Sequence, residues 1–341
     1  MTAQHAIRSH QESEFLLDVN DLVVHFPAGR TGPTGRPSFV HAVDGVSFRV
    51  RRGTTFGIVG ESGSGKSTTA QAVMRLVPVT SGQIVFGDRN IAELSGRSLR
   101  EVRRHLQIVF QDPFSALNPR RRAGDQIREP LDLLDVCPRS GRDDRVRKLL
   151  GEVGLPPQAA DLFPHQFSGG QRQRLCIARA LAPEPDLIVC DEAVSALDVA
   201  IQAQVLNLLK RLQRERNLTY IFISHDLGVI QQFCDEVAVM YLGKIVEQGL
   251  AADIFSAPRH PYTWSLIAAA APPGPQRDAL KQRHLVKGDP PSPVDPPPGC
   301  RFAQRCPAVI DVCRQRLPAL DAIGPHHYVA CHRAADLVER I

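Results

Sequence analysis

Several features are missing from this chain, and each absence excludes something. No apolar run approaches the roughly 18–20 residues that a membrane-spanning helix requires. The polar start, MTAQHAIRSHQESEF, holds no apolar core of a secretory signal, so a cytosolic protein is expected. There is no run of one charge sign. The net charge is +5, but the arginines are scattered, which disfavours a nucleic-acid-binding strip and fits a preference for small polyanions. Sustained heptads are absent, which excludes long coiled coils. The eight cysteines fall into two sets. Cys137, Cys176, Cys190 and Cys234 are dispersed and read as small buried side chains or idle thiols. Cys300, Cys306, Cys313 and Cys331 crowd the tail in the pattern C-x5-C-x6-C-x17-C, which is neither ferredoxin spacing nor a usual zinc ribbon. In a reducing compartment such crowding favours a metal or iron–sulfur centre over disulfides.

What is present is ordinary in bulk and specific in detail. The chain has 341 residues, 43% apolar and 23% charged, enough for two or three structural units with ample core. Its organising stretch is Gly60, Glu61, Ser62, Gly63, Ser64, Gly65, Lys66, Ser67 and Thr68, which fits G-x-x-x-x-G-K-[ST]. A strand is expected over 54–59 and a helix over 69–76, the context this phosphate-binding loop requires. Glycines let backbone N–H groups converge on phosphate oxygens, and the helix start adds its positive dipole end. Lys66 would reach the outer phosphates, and the Ser67 hydroxyl would ligate Mg²⁺.

Along the chain, 15–26 reads as a strand ending at Phe26, which could stack on a base or simply pack in the core. Residues 27–37 read as a glycine- and proline-rich loop, and 39–50 as a returning strand. Strands at 82–87 and 106–110 follow, the second ending at Gln111, which can reach Mg²⁺ or an attacking water. Residues 112–178 mix charged and apolar residues at helical spacing, as an inserted helical subdomain would. Within it, Ser168, Gly169, Gly170 and Gln171 form a second glycine-rich anion-binding loop, leading into a helix over 175–181. One triphosphate is already held by the first loop. The second would therefore face the γ-phosphate of a nucleotide on another subunit.

LIVCDE at 187–192 reads as a buried parallel strand ending in two acids. Asp191 is placed to hold Mg²⁺ and Glu192 to polarise the attacking water. Asp198 caps the next helix, and His225 ends a strand over 220–223, where it can donate to the γ-phosphate. A strand pair follows at 236–247, then a short helix from His260, and a linker over 272–298 that carries nine of the chain's 27 prolines and should be extended. The expected organisation is a polar tail (1–14), a cassette (15–256), a helix and proline-rich linker (257–299) and a four-cysteine module (300–341).

GESGSGKST, the Gln111 strand end, FSGGQRQR, LIVCDE, SALD and His225, in this order and at these distances, resemble an ABC-transporter ATPase subunit. The tail, with HPYT at 260–263 and GDPPSPVDPPPGCRFAQRCP at 288–307, resembles ATPases of oligopeptide, dipeptide and nickel importers. The resemblance implies an α/β fold: a RecA-like P-loop NTPase cassette with an antiparallel β subdomain, a helical insertion and a small cysteine-containing extension. It assigns residues 60–68 as the Walker A loop and Gln111 as the Q-loop glutamine. Ser168 to Gln171 would be the signature motif, Asp191 the Walker B aspartate and Glu192 the general base. Asp198 would be the D-loop aspartate, His225 the switch histidine and Phe26 the adenine-stacking aromatic. The cofactors implied are ATP and Mg²⁺. In that group the four cysteines can hold a [4Fe–4S] cluster; zinc and unligated thiols stay open as alternatives. Implied partners are a second ATPase subunit, usually a paralogue, two transmembrane permeases and an extracytoplasmic solute-binding protein, with no nucleic acid. The place implied is the cytoplasmic face of the plasma membrane.

Ala193 stands where such subunits usually carry proline, which could loosen the Glu192 backbone. No reacting group is lost, so an active ATPase is expected. The rival class is a soluble ABC ATPase acting on nucleic acid or ribosomes; those usually carry two cassettes or long coiled coils, whereas this chain has one cassette. A dead regulatory cassette conflicts with the intact Lys66, Asp191, Glu192 and His225.

Overall fold

The computed structural model describes residues 14–31, 36–270, 286 and 288–337. The polar tail up to residue 13 and much of the proline-rich linker lie outside the described residues. Two sheets organise the chain. The first is antiparallel, in the order β2-β1-β4-β5, built from β1 (Phe15–Thr31), β2 (Arg36–Arg51), β4 (Ser81–Phe86) and β5 (Arg89–Asn90). The expected loop over 27–37 is largely strand instead: Pro27 pairs with Phe39 and Gly29 with Ser38, past a register shift. A bulge absorbs the misfit of proline and glycine, so the hairpin continues where composition alone suggested a break.

The second sheet has eight strands in the order β11-β12-β10-β9-β3-β8-β7-β6. Its parallel strands are β3 (Thr55–Val59), β6 (Leu106–Val109), β7 (Leu187–Asp191), β8 (Thr219–Ile223) and β9 (Glu236–Tyr241). β3, β7 and β8 are buried at every residue because both faces are covered. Alternation assigns the faces. Ile188, Cys190, Tyr220 and Phe222 pack into a core shared with the helical insertion. Leu187, Val189, Ile221 and Ile223 pack into a second core beneath the antiparallel sheet.

Helices α1 (Lys66–Val73), α2 (Gly96–His105), α3 (Pro113–Ala116), α4 (Ala123–Leu133), α5 (Arg142–Glu152), α6 (Gly169–Leu181), α7 (Val199–Arg216) and α8 (Leu227–Phe233) connect these strands. β10 (Lys244–Leu250), α9 (Ala251–Ser256) and α10 (Pro261–Ala270) follow. The tail adds α11 (Asp311–Gln315), β11 (Asp321–Gly324) and β12 (His327–Val329). β12 pairs antiparallel with β10, Glu247 opposite Val329, so the cysteine-bearing tail extends the central sheet. The fully buried Glu247 carboxylate locks this junction, accepting from Arg259 N, His260 N and His327 Nε2 at 2.7–3.0 Å. No helix of the described residues is long and apolar enough to cross a membrane.

Candidate functional site: a nucleotide cleft at the strand ends

The carboxyl ends of β3, β6, β7 and β8 all open on one side, where open α/β sheets bind ligands. β3 runs into the loop at 60–65 and then α1. Gly65 caps α1 with φ +104°, and a Cβ there would lie 2.2 Å from the Ala42 carbonyl oxygen, so only glycine fits. Thr69 Oγ1 donates to the Gly65 carbonyl at 3.0 Å, closing the first turn. The helix begins at Lys66, three residues before the expected 69, so Ser67 and Thr68 sit in its first turn.

Lys66 is buried, and its Nζ donates to the carbonyls of Gly60 (2.8 Å) and Glu61 (2.9 Å). Burial lowers its ammonium pKa; Glu192, Asp191 and Glu61 pull the other way. Ser67 Oγ donates to Asp191 Oδ1 at 2.9 Å, while burial pushes the Asp191 carboxyl up against that hydrogen bond. A hydroxyl and a carboxylate in contact form a hard-oxygen pair that suits Mg²⁺. Gln111 Nε2 donates to Glu192 Oε2 at 2.8 Å, and His225 Nδ1 lies 3.4 Å from the same oxygen.

Glu192 adopts a left-handed backbone, φ +49°. Its N–H donates to the Ile223 carbonyl (3.0 Å), and its own carbonyl accepts from Ser195 N (3.1 Å) and Ser195 Oγ (2.9 Å). Ala193 is buried behind it. The loosening expected from the missing proline is therefore offset by three hydrogen bonds.

A cleft of about 690 Å³ gathers Phe26, Ser62, Gly63, Gly65, Lys66, Ser67, Thr68, Gln111, Glu192 and His225. Phe26 lines this cleft and also packs against the second core. Ser168, Gly169, Gly170 and Gln171 do not line it. They also differ locally from expectation: the helix starts at Gly169, six residues earlier than expected. Ser168 and Gln171 form a reciprocal capping box, and a Cβ on Gly170 would meet Ile201 Cγ2 of α7 at 2.4 Å. Asp198 caps α7, accepting from Ile201 N at 2.9 Å, and stays exposed.

The ABC transporter family profile matches residues 43–195, and that of the oligopeptide/dipeptide transporter C-terminal region matches 246–313. The oligopeptide transport ATP-binding protein AppF of Bacillus subtilis is 47% identical over 321 residues, 94% of this chain and 97% of that protein. The chain is an ATP-binding subunit of the oligopeptide/dipeptide ABC-transporter family. Its cassette is similar to cbiO1 of Clostridium perfringens, part of the cbiONQ transporter complex (TM-score 0.61, 28% identity, 71% of this chain and 91% of that one). It is also similar to the cassette MJ0796, solved as a dimer bound to ADP and Pi (TM-score 0.60, 26% identity, 69% and 98%). The subunit is thus an ABC-type ATPase of transport, with the α/β cassette fold the motifs implied.

Some residues at the cleft carried no readable role in the sequence. Tyr262 OH accepts from Glu61 N at 2.8 Å, and Arg305 pairs with the Glu61 carboxylate. Pro293 of the linker lines the cleft and accepts from His41 N. HPYT was visible as a family marker, but only the fold shows that its tyrosine reaches the phosphate loop. The four tail cysteines line one small cavity with His260 and Phe302. Among the described residues, the only three candidate ligand atoms within 4.8 Å of one another belong to His25, His41 and Asp44. A single zinc at about 2.3 Å from each sulfur needs tighter spacing than the cysteines offer. At the histidine group, burial raises the Asp44 carboxyl, but Arg301, Lys244 and His25 together hold it below the usual range. Arg301 and Lys244 already neutralise it.

Proposed function

We propose that this chain binds MgATP and hydrolyses it to drive uptake of oligopeptides, dipeptides or related small solutes. One observation carries the proposal: Glu192, with Gln111 and His225 on one of its oxygens, faces the same cleft as Lys66 and the phosphate-loop amides. Lys66 and residues 60–68 bind the triphosphate, and Phe26 stacks on the base. Ser67, Asp191 and Gln111 would hold Mg²⁺, which would supply charge neutralisation at the phosphates. Glu192 orients and deprotonates water; Gln111 and His225 respond to the γ-phosphate. Catalysis here is positioning and electrostatics, not covalent chemistry.

The signature residues Ser168, Gly169, Gly170 and Gln171 lie off the cleft of their own chain. Together with Asp198, they would complete the site of a second ATPase subunit, a paralogue in most such transporters. ATP then holds two cassettes together, and hydrolysis lets them part. Two permeases would dock beside the Q-loop, where Phe110 and Phe114 are exposed. A solute-binding protein would deliver cargo, and the chain would sit on the cytoplasmic face of the membrane. Cys300, Cys306, Cys313 and Cys331 would hold a [4Fe–4S] cluster; their shared cavity and wider spacing favour it over one zinc ion. Thiolates are its usual ligands.

Co-purification tests the reading. Permeases in the complex, and ATP-dependent uptake of a labelled oligopeptide in reconstituted vesicles, are expected. Recovery of ribosomes or nucleic acid instead would support the rival class and refute transport.

A further inference from the structure

The segment Cys300-Arg301-Phe302-Ala303-Gln304-Arg305-Cys306 begins and ends on two of the four cysteines, and the side chains between them reach the nucleotide site. Arg305 grips Glu61 of the phosphate loop with a two-pronged ion pair, Nη1 to Oε2 at 2.8 Å and Nη2 to Oε1 at 3.1 Å. Its guanidinium also donates to Tyr241 OH (3.3 Å) and lies over the Tyr241 and Phe302 rings. Arg301 donates to the Leu242 carbonyl and pairs with Asp44 of β2. Phe302, 1% exposed, wedges among Tyr241, Tyr262 and His260.

Glu61 is the focus of these contacts. Its N–H is held by Tyr262 OH, its carboxylate by Arg305, and its carbonyl accepts from Lys66 Nζ. Moving Glu61 therefore moves the partner of the lysine that meets the phosphates. At the other end, Cys300 N donates to the Cys313 carbonyl at 2.7 Å, and Gly299 has no room for a Cβ against it (2.3 Å). The strap has little slack where the cysteines hold it.

We propose that the Cys300–Cys306 strap positions the phosphate loop through Arg305, so that the integrity of the four-cysteine centre sets nucleotide affinity. Arg305 and Tyr262 are positioning residues: they touch the loop, not the nucleotide. The inference rests on the nucleotide and cysteine-centre readings above.

The test is fluorescence titration of the full-length, anaerobically purified chain with mant-ATP, beside hydrogen exchange of the loop. Arg305→Gln should weaken binding about tenfold, as expected for losing charge-assisted hydrogen bonds that preorder a site. Arg305→Lys should recover part of that loss. Cys306→Ser should weaken binding similarly, and the double variant should be little worse than either single one. Exchange should rise at the phosphate loop and stay unchanged in β7. If Cys306→Ser does not fold, stripping the metal from the wild type makes the same measurement. Affinity within about twofold of wild type in Arg305→Gln, or in both cysteine-side arms, overturns the proposal. A wild-type chain that binds no mant-ATP would instead sink the site reading itself.

Discussion

Replacing Glu192 by Gln removes one charge and one base while keeping side-chain length and shape. The amide oxygen can still accept from Gln111 Nε2, which now sits 2.8 Å from Oε2. The backbone, fixed by Ile223 and Ser195, has no reason to move. Among the described residues Oε1 has no hydrogen-bond partner, so it is the oxygen free to take a proton from water. Losing a positioned general base costs about 10²–10⁴ in rate, or roughly 3–5 kcal/mol of barrier. Binding should move the other way. Removing one negative charge that faces the phosphates relieves repulsion, about 2 kcal/mol for two unit charges held ~8 Å apart at an effective dielectric near 20. Tight ATP binding without turnover should trap the closed two-cassette state. Phosphate release at saturating ATP measures the first effect, and light scattering with and without ATP the second. Turnover within about threefold of wild type would refute Glu192 as the base.

Other outcomes follow from particular contacts. Gly65→Ala should abolish mant-ATP binding, because its Cβ meets the Ala42 carbonyl at 2.2 Å, whereas Gly63→Ala, which has open space around it, should only weaken binding; equal effects would contradict the loop geometry. Burial depresses the His260 imidazole to about 3. The unfolded chain therefore takes up that proton first, near pH 6.5. The stability is fully present above that pH and is lost as pH falls toward 3. His260→Asn keeps an acceptor for Tyr262 N and should flatten the fall of Tm between about pH 6.5 and 4; an unchanged slope would assign the acid lability elsewhere. Anaerobic protein should be brown, with absorption near ~400 nm; colourless, iron-free protein would remove the cluster.

The sequence alone determined the local chemistry. A loop of the Gly60–Thr68 kind can only cradle an anion if a strand precedes it and a helix follows, and both are encoded in adjacent residues. The same holds for the acids ending β7 and the caps Ser168 and Asp198, whose partners lie three residues away. Where elements begin was less legible. The β1–β2 hairpin runs through glycine and proline because cross-strand pairing outweighs local propensity, and α6 starts at Gly169 because the capping box and the fit against Ile201 override the glycines. Only the tertiary structure decided which distant residues meet. Gln111 reaches Glu192 across 81 positions, Tyr262 reaches Glu61 across 201, and Arg305 reaches Glu61 across 244. No periodicity encodes such pairs, since they arise from strand order and from β12 joining β10. That pairing anchors the cysteine-bearing tail on the central sheet, and Arg305 carries its contact to Glu61 of the phosphate loop.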